Sequence, residues 1–328
     1  METVNSTTKD INLKGLLDLN YGFVRSKILD FALKLNIFDI VESTCENQAE
    51  AISEVTSIKK ENVKKLLETL VYMRLLSKKS DIYLNTLSTS KYLCSSSKDY
   101  IGEHLALVFK QWDSWSSLDT AMLKNERTDN SQLLLHMKKK SYNLALPIVE
   151  RLLSTIPYNF NKTKILDYHC GEGEWAYALA KKYNEAVIDA FDSEEYKKVF
   201  NERMKTNYKN RQDNIKFISR INDEYDYIIL SNFLRFYGEE YSRTLLVSLQ
   251  RHLKDNGKII IYDVFHSDEA NEPSITNLLD LSMLVNTCSG GVFTVNEACS
   301  LLKETGFQIE NIFDTKPYPI LIARSEKY

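Results

Sequence analysis

Apolar residues in the first half of the chain recur mainly with helical spacing. The stretches Tyr21 to Val41 and Glu61 to Leu76 show this period most clearly. The segment LLSKKSDIYLNTLS that follows is bounded by apolar runs around a polar turn, which predicts a β-hairpin. From Tyr100 to about Leu153 the pattern is helical again. The first half therefore predicts helices with one small β wing.

After Pro157 the pattern changes to short apolar runs that alternate with helical stretches, which is typical of a parallel sheet with crossover helices. The last two runs, GFQIENIF and YPILIARS, are separated only by DTKP, and so short a link permits only an antiparallel pair. The sequence thus predicts an α/β, doubly wound, mostly parallel sheet that ends in an antiparallel hairpin. The earlier predicted strands are Lys164 to Tyr168, Ala186 to Phe191, Asn214 to Ile218, Tyr225 to Leu230 and Gly257 to Phe265.

Composition narrows the class of protein. The 328 residues are 43% hydrophobic and carry 42 basic against 45 acidic side chains, so the chain can bury a core and has no cationic field for nucleic acid. No apolar run is long enough to span a membrane, and the polar amino terminus lacks a signal-peptide core, so we expect a cytoplasmic protein. The five cysteines are widely spaced without CxxC, and no metal site is predicted.

One loop carries most of the candidate chemistry. In ILDYHCGEGEW a predicted strand leads through Gly171 and Gly173 into a helix that begins near Glu174. Asp192 ends the next strand, 19 residues after Gly173, where an acid accepts hydrogen bonds from ribose hydroxyls. This order predicts a nucleoside site; the alternative is a tight turn beside a solvated aspartate.

The type of nucleoside needs further argument, because Gly171, Gly173 and Ala176 also satisfy a dinucleotide fingerprint. Three features argue against NAD: Asp167 closes the first strand, about 160 residues precede the unit, and the terminal hairpin is foreign to that fold. S-adenosylmethionine fits better.

The chain resembles the S-adenosylmethionine-dependent O-methyltransferases of the plant caffeate and hydroxyindole type, which also occur in bacterial secondary metabolism. The resemblance covers nearly the whole chain. It implies a seven-stranded class I methyltransferase sheet, a winged-helix dimerisation domain and a homodimer. The implied domains are 1–100 for dimerisation, 101–158 as a helical connector to the substrate pocket, and 159–328 for the cofactor. The matching segments are FALKLNIFDIV, KKLLETLVYMRLLSKKSDIYLNTLSTSKYL, QWDSWSSL, ILDYHCGEGEW, SNFLRFYGEEYSRTLLVSLQRHLKDNGKIIIYDVF and SGGVFTVNEACSLLKETGF.

Several positions depart from the family's cofactor pattern. His169 stands where the family has the first glycine of its loop, Ser219 begins the short segment that replaces the adenine clamp, and Ser231 replaces a lysine. The resemblance still assigns these positions to the cofactor site. The cofactor residues it implies are Asp167, His169, Gly171, Gly173, Asp192, Ser219 and Ser231.

The catalytic segment departs further. The family's general-base histidine aligns with Arg235, and arginine has no lone pair with which to accept a proton. Of the two family acids that orient the histidine, the first aligns with Asp263 and the second with Val292. Arg235 is therefore predicted to hold an anionic substrate, with Asp263 or His266 as the substitute base.

Four further residues are candidates for substrate contact. Trp112, Trp115 and Tyr142 offer rings to an aromatic pocket, and Met283 falls where the family contacts substrate. At helical spacing, each is also compatible with ordinary core packing.

The predicted function is methyl transfer from S-adenosylmethionine to a small aromatic or anionic metabolite, without a histidine base and with oxygen as the expected acceptor. A pseudoenzyme or non-methylating catalyst that keeps the ligand is one alternative, and a winged-helix regulator is another. Residues 1–100 hold 14 basic and 13 acidic side chains, which gives no basic face for DNA. The apolar stripe of Val63, Leu66, Leu67, Leu70 and Val71 is predicted to face a partner subunit.

Overall fold

The computed structural model describes residues 10–43, 48–139, 141–207, 214–268, 274–315 and 318–326. The chain divides into two compact units, Met1–Phe109 and Lys110–Tyr328.

The first unit is helical with one two-stranded antiparallel hairpin, as predicted. The predicted helix from Tyr21 to Val41 is two helices, because the chain turns at Asn36, which adopts φ +53°. The elements are α1 (Leu13–Asn20), α2 (Gly22–Lys34), α3 (Ile37–Ser43), α4 (Ala49–Thr56), α5 (Lys60–Tyr72), β1 (Leu76–Lys79), β2 (Ile82–Asn85), α6 (Leu87–Leu93) and α7 (Gly102–Lys110).

The prediction that the apolar stripe of α5 faces a partner is wrong. Val63, Leu67 and Leu70 are at most 1% exposed and belong to this unit's own core, with Leu66 and Val71 packed against it. Several of the unit's exposed apolar side chains lie on α1 and α2 or at the residue between them. These side chains form the α1–α2 apolar surface: Leu13, Leu16, Leu17, Leu19, Tyr21, Phe23 and Phe31.

The second unit alternates helices and strands. Its helices are α8 (Trp112–Trp115), α9 (Leu118–Lys124), α10 (Ser131–Lys139), α11 (Tyr142–Thr155), α12 (Glu174–Lys182), α13 (Lys197–Asn207), α14 (Glu239–Gln250), α15 (Ile275–Asn286) and α16 (Val295–Glu304), with 3-10 turns at Glu194–Tyr196 and Leu234–Phe236. Its strands are β3 (Lys164–Tyr168), β4 (Val187–Phe191), β5 (Ile215–Ile218), β6 (Tyr225–Ser231), β7 (Leu253–Tyr262), β8 (Phe307–Phe313) and β9 (Ile320–Ser325).

The seven strands form one sheet in the order β5-β4-β3-β6-β7-β9-β8, parallel from β5 to β7 and antiparallel at β9 and β8. Successive residues of β7 point to opposite faces: Ile260 packs in the core beneath α11 to α13, while Ile259 and Ile261 pack in the core beneath α14 and α16. Helices therefore cover both faces. The doubly wound fold and the terminal hairpin are confirmed.

Among the described residues, no helix combines the length and apolar character needed to cross a bilayer. Within the same residues, no group of three or more histidine, cysteine, aspartate or glutamate side chains is arranged to hold a metal ion.

Candidate functional site

The strand register brings the predicted site residues to one edge of the sheet. Tyr168 at the end of β3 pairs with Phe191 of β4 and Leu230 of β6, and Ser231 pairs with Tyr262 of β7. Because these strands are parallel, the segments that follow them meet at this carboxyl edge. The cofactor loop, Asp192, Arg235 and Asp263 therefore come from four adjacent strands.

Two glycines shape the loop after β3. Gly171 and Gly173 have φ values of +58° and +89°, in the left-handed region that favours glycine. A Cβ on Gly173 would lie 2.5 Å from Cε2 of Phe200 and 2.8 Å from the methyl carbon of Met204, both on α13. Gly173 thus lets the loop pass close to α13 before α12 begins at Glu174.

The carboxylates of Asp167 and Asp192 hold this loop through hydrogen bonds to its backbone. The Asp167 carboxylate is buried and accepts a hydrogen bond from the backbone N–H of Ala176 in the first turn of α12, at 3.1 Å. The Asp192 carboxylate accepts one bond from the N–H of Gly171 at 3.0 Å and one from that of Ser193 at 2.8 Å. These bonds fix the carboxylate of Asp192 beside the loop, at the position where the fold places an acceptor for ribose hydroxyls.

The two predicted serines lie at the carboxyl ends of β5 and β6, the strands on either side of the β4–β3 pair. The region at the carboxyl ends of these strands, between the segments that follow them, is called the crevice. Ser219, just after β5, donates a hydrogen bond to the Glu194 carboxylate, and Lys197 donates another. Both bonds lower the pKa of Glu194, and the bond from Lys197 has the larger effect. Ser231 is buried at the end of β6, where its hydroxyl accepts a bond from the side-chain amide of Asn232 at 3.2 Å.

Arg235 sits in the short 3-10 turn after β6 and is held by its own chain. Its guanidinium pairs with Asp263, donates to the side-chain oxygen of Asn232 at 3.1 Å, and lies 4.7 Å above the ring of Phe236. The side chain is only 13% exposed. Arg235 is therefore a cation whose position is fixed by contacts within its own chain.

Asp263 is 1% exposed and accepts several bonds at once. The backbone N–H groups of Phe233, Leu234 and Val264 donate to it at 2.7, 2.8 and 2.7 Å, and Arg235 is its ion-pair partner. These four contacts engage the acceptor positions of the carboxylate with groups of its own chain. The environment favours a positioning role for Asp263 over the predicted role of substitute base.

His266 also has both ring nitrogens engaged. Nδ1 lies 3.0 Å from the hydroxyl of Thr276, and Nε2 lies 3.3 Å from a carboxylate oxygen of Asp280, both on α15. The other oxygen of Asp280 accepts the backbone N–H of Val292 at 2.8 Å. His266 thus ties the segment after β7 to α15, which argues against a catalytic base. Sequence reasoning missed Asp280, although an acid inside the apolar helix LLDLSML was a usable signal.

The four predicted substrate residues fall into two groups: helix α8, which carries Trp112 and Trp115, contacts helix α15, which carries Met283, whereas Tyr142 lies on α11. Met283 is buried in a cluster with Leu134, Leu135 and Phe236, next to the turn that carries Arg235. Trp112 and Trp115 lie on the short helix α8, and Trp112 is 50% exposed.

Tyr142 has a different environment from the one predicted. It is 2% exposed at the start of α11, and its ring lies 4.9 Å from the guanidinium carbon of Arg203. Arg203 in turn makes a two-nitrogen contact with Glu172, at 3.1 and 2.6 Å, between the two loop glycines. The surroundings of Tyr142 thus favour packing behind the cofactor loop over contact with substrate.

Helix α10 was not singled out by sequence, yet it reaches both ends of the crevice. Its Leu134 and Leu135 pack against Phe236, while Nδ1 of His136 lies 3.1 Å from the hydroxyl of Tyr196, just beyond β4. Burial raises the pKa of Tyr196 to about 12, so this hydroxyl stays protonated. No local pattern distinguishes His136 from a surface histidine.

Known families match most of the chain. A family model described as a methyltransferase domain matches residues 137–312, more than half of the chain, and one described as an O-methyltransferase dimerisation domain matches residues 17–95.

A curated relative and two solved structures are similar over nearly the whole length. O-methyltransferase 12 of Dictyostelium discoideum is 25% identical over 338 aligned residues, covering 94% of this chain and 89% of the relative. An O-methyltransferase family protein from Burkholderia thailandensis has a TM-score of 0.82 at 18% identity, covering 97% and 99% of the two chains. Human N-acetylserotonin methyltransferase in complex with SAM has a TM-score of 0.82 at 19% identity, covering 98% and 99%. The two structures share the fold of this chain.

We expect Gly173→Ala to destabilise the protein by about 2–4 kcal/mol, because the new Cβ meets Phe200 and the backbone is left-handed. Urea unfolding measures the change. Gly291→Ala is the control: its Cβ would lie 3.5 Å from a carboxylate oxygen of Asp280, an ordinary contact, so the change should be neutral or stabilise by up to about 1 kcal/mol. Equal effects of the two changes would contradict the close approach at Gly173.

Proposed function

Because the chain belongs to the methyltransferase-domain family and carries the O-methyltransferase dimerisation domain, we propose that it methylates an oxygen of a small aromatic or anionic metabolite without a histidine base. The enzyme is an S-adenosylmethionine-dependent methyltransferase. The observation that carries the proposal is the position of Arg235. Its guanidinium is held by Asp263 and Asn232, and it lies beside Phe236, which packs against Met283.

The cofactor is assigned to the carboxyl edge of β3, β4 and β6. The left-handed loop at Gly171, the buried carboxylate of Asp192 just after β4, and the N-terminus of α12 fit a nucleoside with free ribose hydroxyls. When bound, S-adenosylmethionine supplies an electrophilic methyl group on its sulfonium. Asp192 binds the ribose in this proposal, and Asp167 keeps the loop attached to α12.

Arg235 orients the substrate rather than removing its proton. The guanidinium pairs with Asp263 through one terminal nitrogen, so its other N–H groups can donate to a carboxylate or a phenolate. The acceptor positions of Asp263 and both ring nitrogens of His266 are engaged by groups of the chain itself. We therefore infer that the nucleophile arrives already ionised, and that alignment lowers the barrier, an effect that reaches roughly 7–11 kcal/mol in well-oriented systems.

The same departures favour one second candidate, a family member that binds the cofactor without methylating. A side chain at His169, in place of the family's glycine, and an arginine at the base position are both expected of such a protein. Cofactor binding without methylated product from any phenol, carboxylate or carbon nucleophile would establish this second candidate.

A homodimer completes the proposal. The dimerisation-domain match covers α2 and most of the first unit, and the α1–α2 apolar surface exposes Leu13 and Leu19 at 73% each. Several exposed apolar side chains on adjacent helices are typical of an interface rather than of free surface. We propose that a second copy of the chain covers this surface.

Asp192→Ala should weaken binding of S-adenosylhomocysteine by roughly 10- to 150-fold, since a hydrogen bond to a charged carboxylate contributes about 1.5–3 kcal/mol. Isothermal titration calorimetry measures the dissociation constant, with NAD tested beside it. Asp223→Ala is the control: it removes an exposed aspartate paired with Lys164 at the opposite end of β3. Binding that is unchanged in Asp192→Ala would place the ribose elsewhere.

Arg235→Ala should raise KM for an anionic acceptor by roughly 10- to 150-fold, which is the range for a lost charge-assisted hydrogen bond, while Arg235→Lys keeps part of the activity. The assay follows transfer of labelled methyl to a panel of phenols and carboxylates, and thermal unfolding checks that the variants remain folded. Activity that survives Arg235→Ala but falls with His266→Ala would instead identify a relocated base.

Replacing Leu13 and Leu19 together by aspartate should convert the dimer to a monomer, because each charge would be buried in the proposed interface. Sedimentation at micromolar concentration measures the mass, and a monomer is 38.0 kDa. Ile312→Asp, on the exposed side of edge strand β8, is the control and should leave the assembly unchanged. A wild-type protein that sediments only at 38.0 kDa would refute the dimer.

A further inference from the structure

His169 combines a side chain with a backbone conformation that favours glycine. It is the first residue after β3 and has φ +64°. Side chains with a Cβ rarely adopt this region, and the family that the chain resembles has glycine here. Strained residues in a binding crevice are often functional, so the imidazole itself is the feature to explain.

The imidazole lies across the crevice at the end of β3. Its ring centroid is 4.9 Å from that of Phe233, with the planes inclined by 54°, and Nδ1 is 3.8 Å from Oδ2 of Asp192. Asp192 follows β4 and Phe233 follows β6, the two strands that flank β3. The side chain is 15% exposed. The ring therefore faces both walls of the crevice to which the nucleoside is assigned.

In this position the ring competes with the cofactor for the space beside Asp192. Oδ2 of Asp192 is already the acceptor for the N–H of Gly171, and the imidazole faces the same oxygen. A ribose hydroxyl that approaches this carboxylate enters the space beside the ring. Glycine at position 169 would leave that space open.

We propose that His169 lowers the affinity of this enzyme for its cofactor, because the imidazole packed against Phe233 and Asp192 is displaced when S-adenosylmethionine or its demethylated product binds. The inference rests on the proposed cofactor site. The contact between the imidazole and Phe233 exists only in the free protein and is lost when the ring is displaced. The free energy of cofactor binding is therefore less favourable for the wild type than for a protein without the ring. Weaker retention of the demethylated product then speeds its exchange for a fresh methyl donor.

Calorimetric titration of the full chain with S-adenosylhomocysteine tests this. His169→Gly opens the space and relieves the backbone, whereas His169→Asn tolerates the left-handed backbone but is too short to reach Phe233. Both should bind roughly 3- to 10-fold more tightly than wild type, the equivalent of one ring contact. His252→Asn is the matched control, because this histidine lies just before β7 at the opposite edge, with Nδ1 3.3 Å from the carbonyl oxygen of Asp223. It should bind as wild type does.

The asparagine variant decides the outcome, since it changes the ring while keeping a side chain. Unchanged or weaker binding by folded His169→Asn overturns the inference and leaves the cofactor site in place. Failure of wild type and both variants to bind at millimolar ligand overturns the proposed function itself. Binding by the variants alone supports the inference. Thermal unfolding verifies that each variant is folded.

Discussion

The buried carboxylate of Asp263 is the constraint on which the catalytic segment depends. Asp263 directly follows β7 at the carboxyl edge of the sheet. It accepts hydrogen bonds from the backbone N–H groups of Phe233, Leu234 and Val264 and forms an ion pair with Arg235. A buried charge is costly unless it is paired and hydrogen-bonded. The turn after β6 is therefore fixed by the need to satisfy one carboxylate, and Arg235 is placed before any substrate arrives.

Much of the fold follows from hydrophobic period, because that period reports which faces are buried. The strand KILDY and the terminal hairpin were predictable since their apolar residues are bounded by polar turns. The same signal misplaced the stripe of α5, because period shows that a face is covered but not whether its own chain or a partner covers it. The hydrophobic period also predicted α2 and α3 as one helix. The left-handed turn at Asn36 separates them without the proline or glycine that would have marked a helix end.

The candidate site was predictable where it depends on strand ends and not where it depends on side-chain partners. Asp192 lies at the sheet edge because it follows a strand, and spacing alone shows this. The engagement of His266 by Asp280, and of Tyr142 by Arg203, arises from helices that pack against the site from distant parts of the sequence. A single sequence carries no signal for such pairs. His266 and Tyr142 were therefore both predicted as site residues.

The two main departures from the family pattern meet at Phe233. Its backbone N–H donates to Asp263, the partner of Arg235, and its ring contacts the imidazole of His169 at 4.9 Å. The ring also lies 5.7 Å from that of Tyr168, at the end of β3. Loss of the imidazole would therefore alter the packing of the residue whose backbone helps to hold the arginine's partner. A side chain in place of glycine and an arginine in place of a base are thus joined through one residue, so neither substitution can be understood as an isolated change in one half of the site.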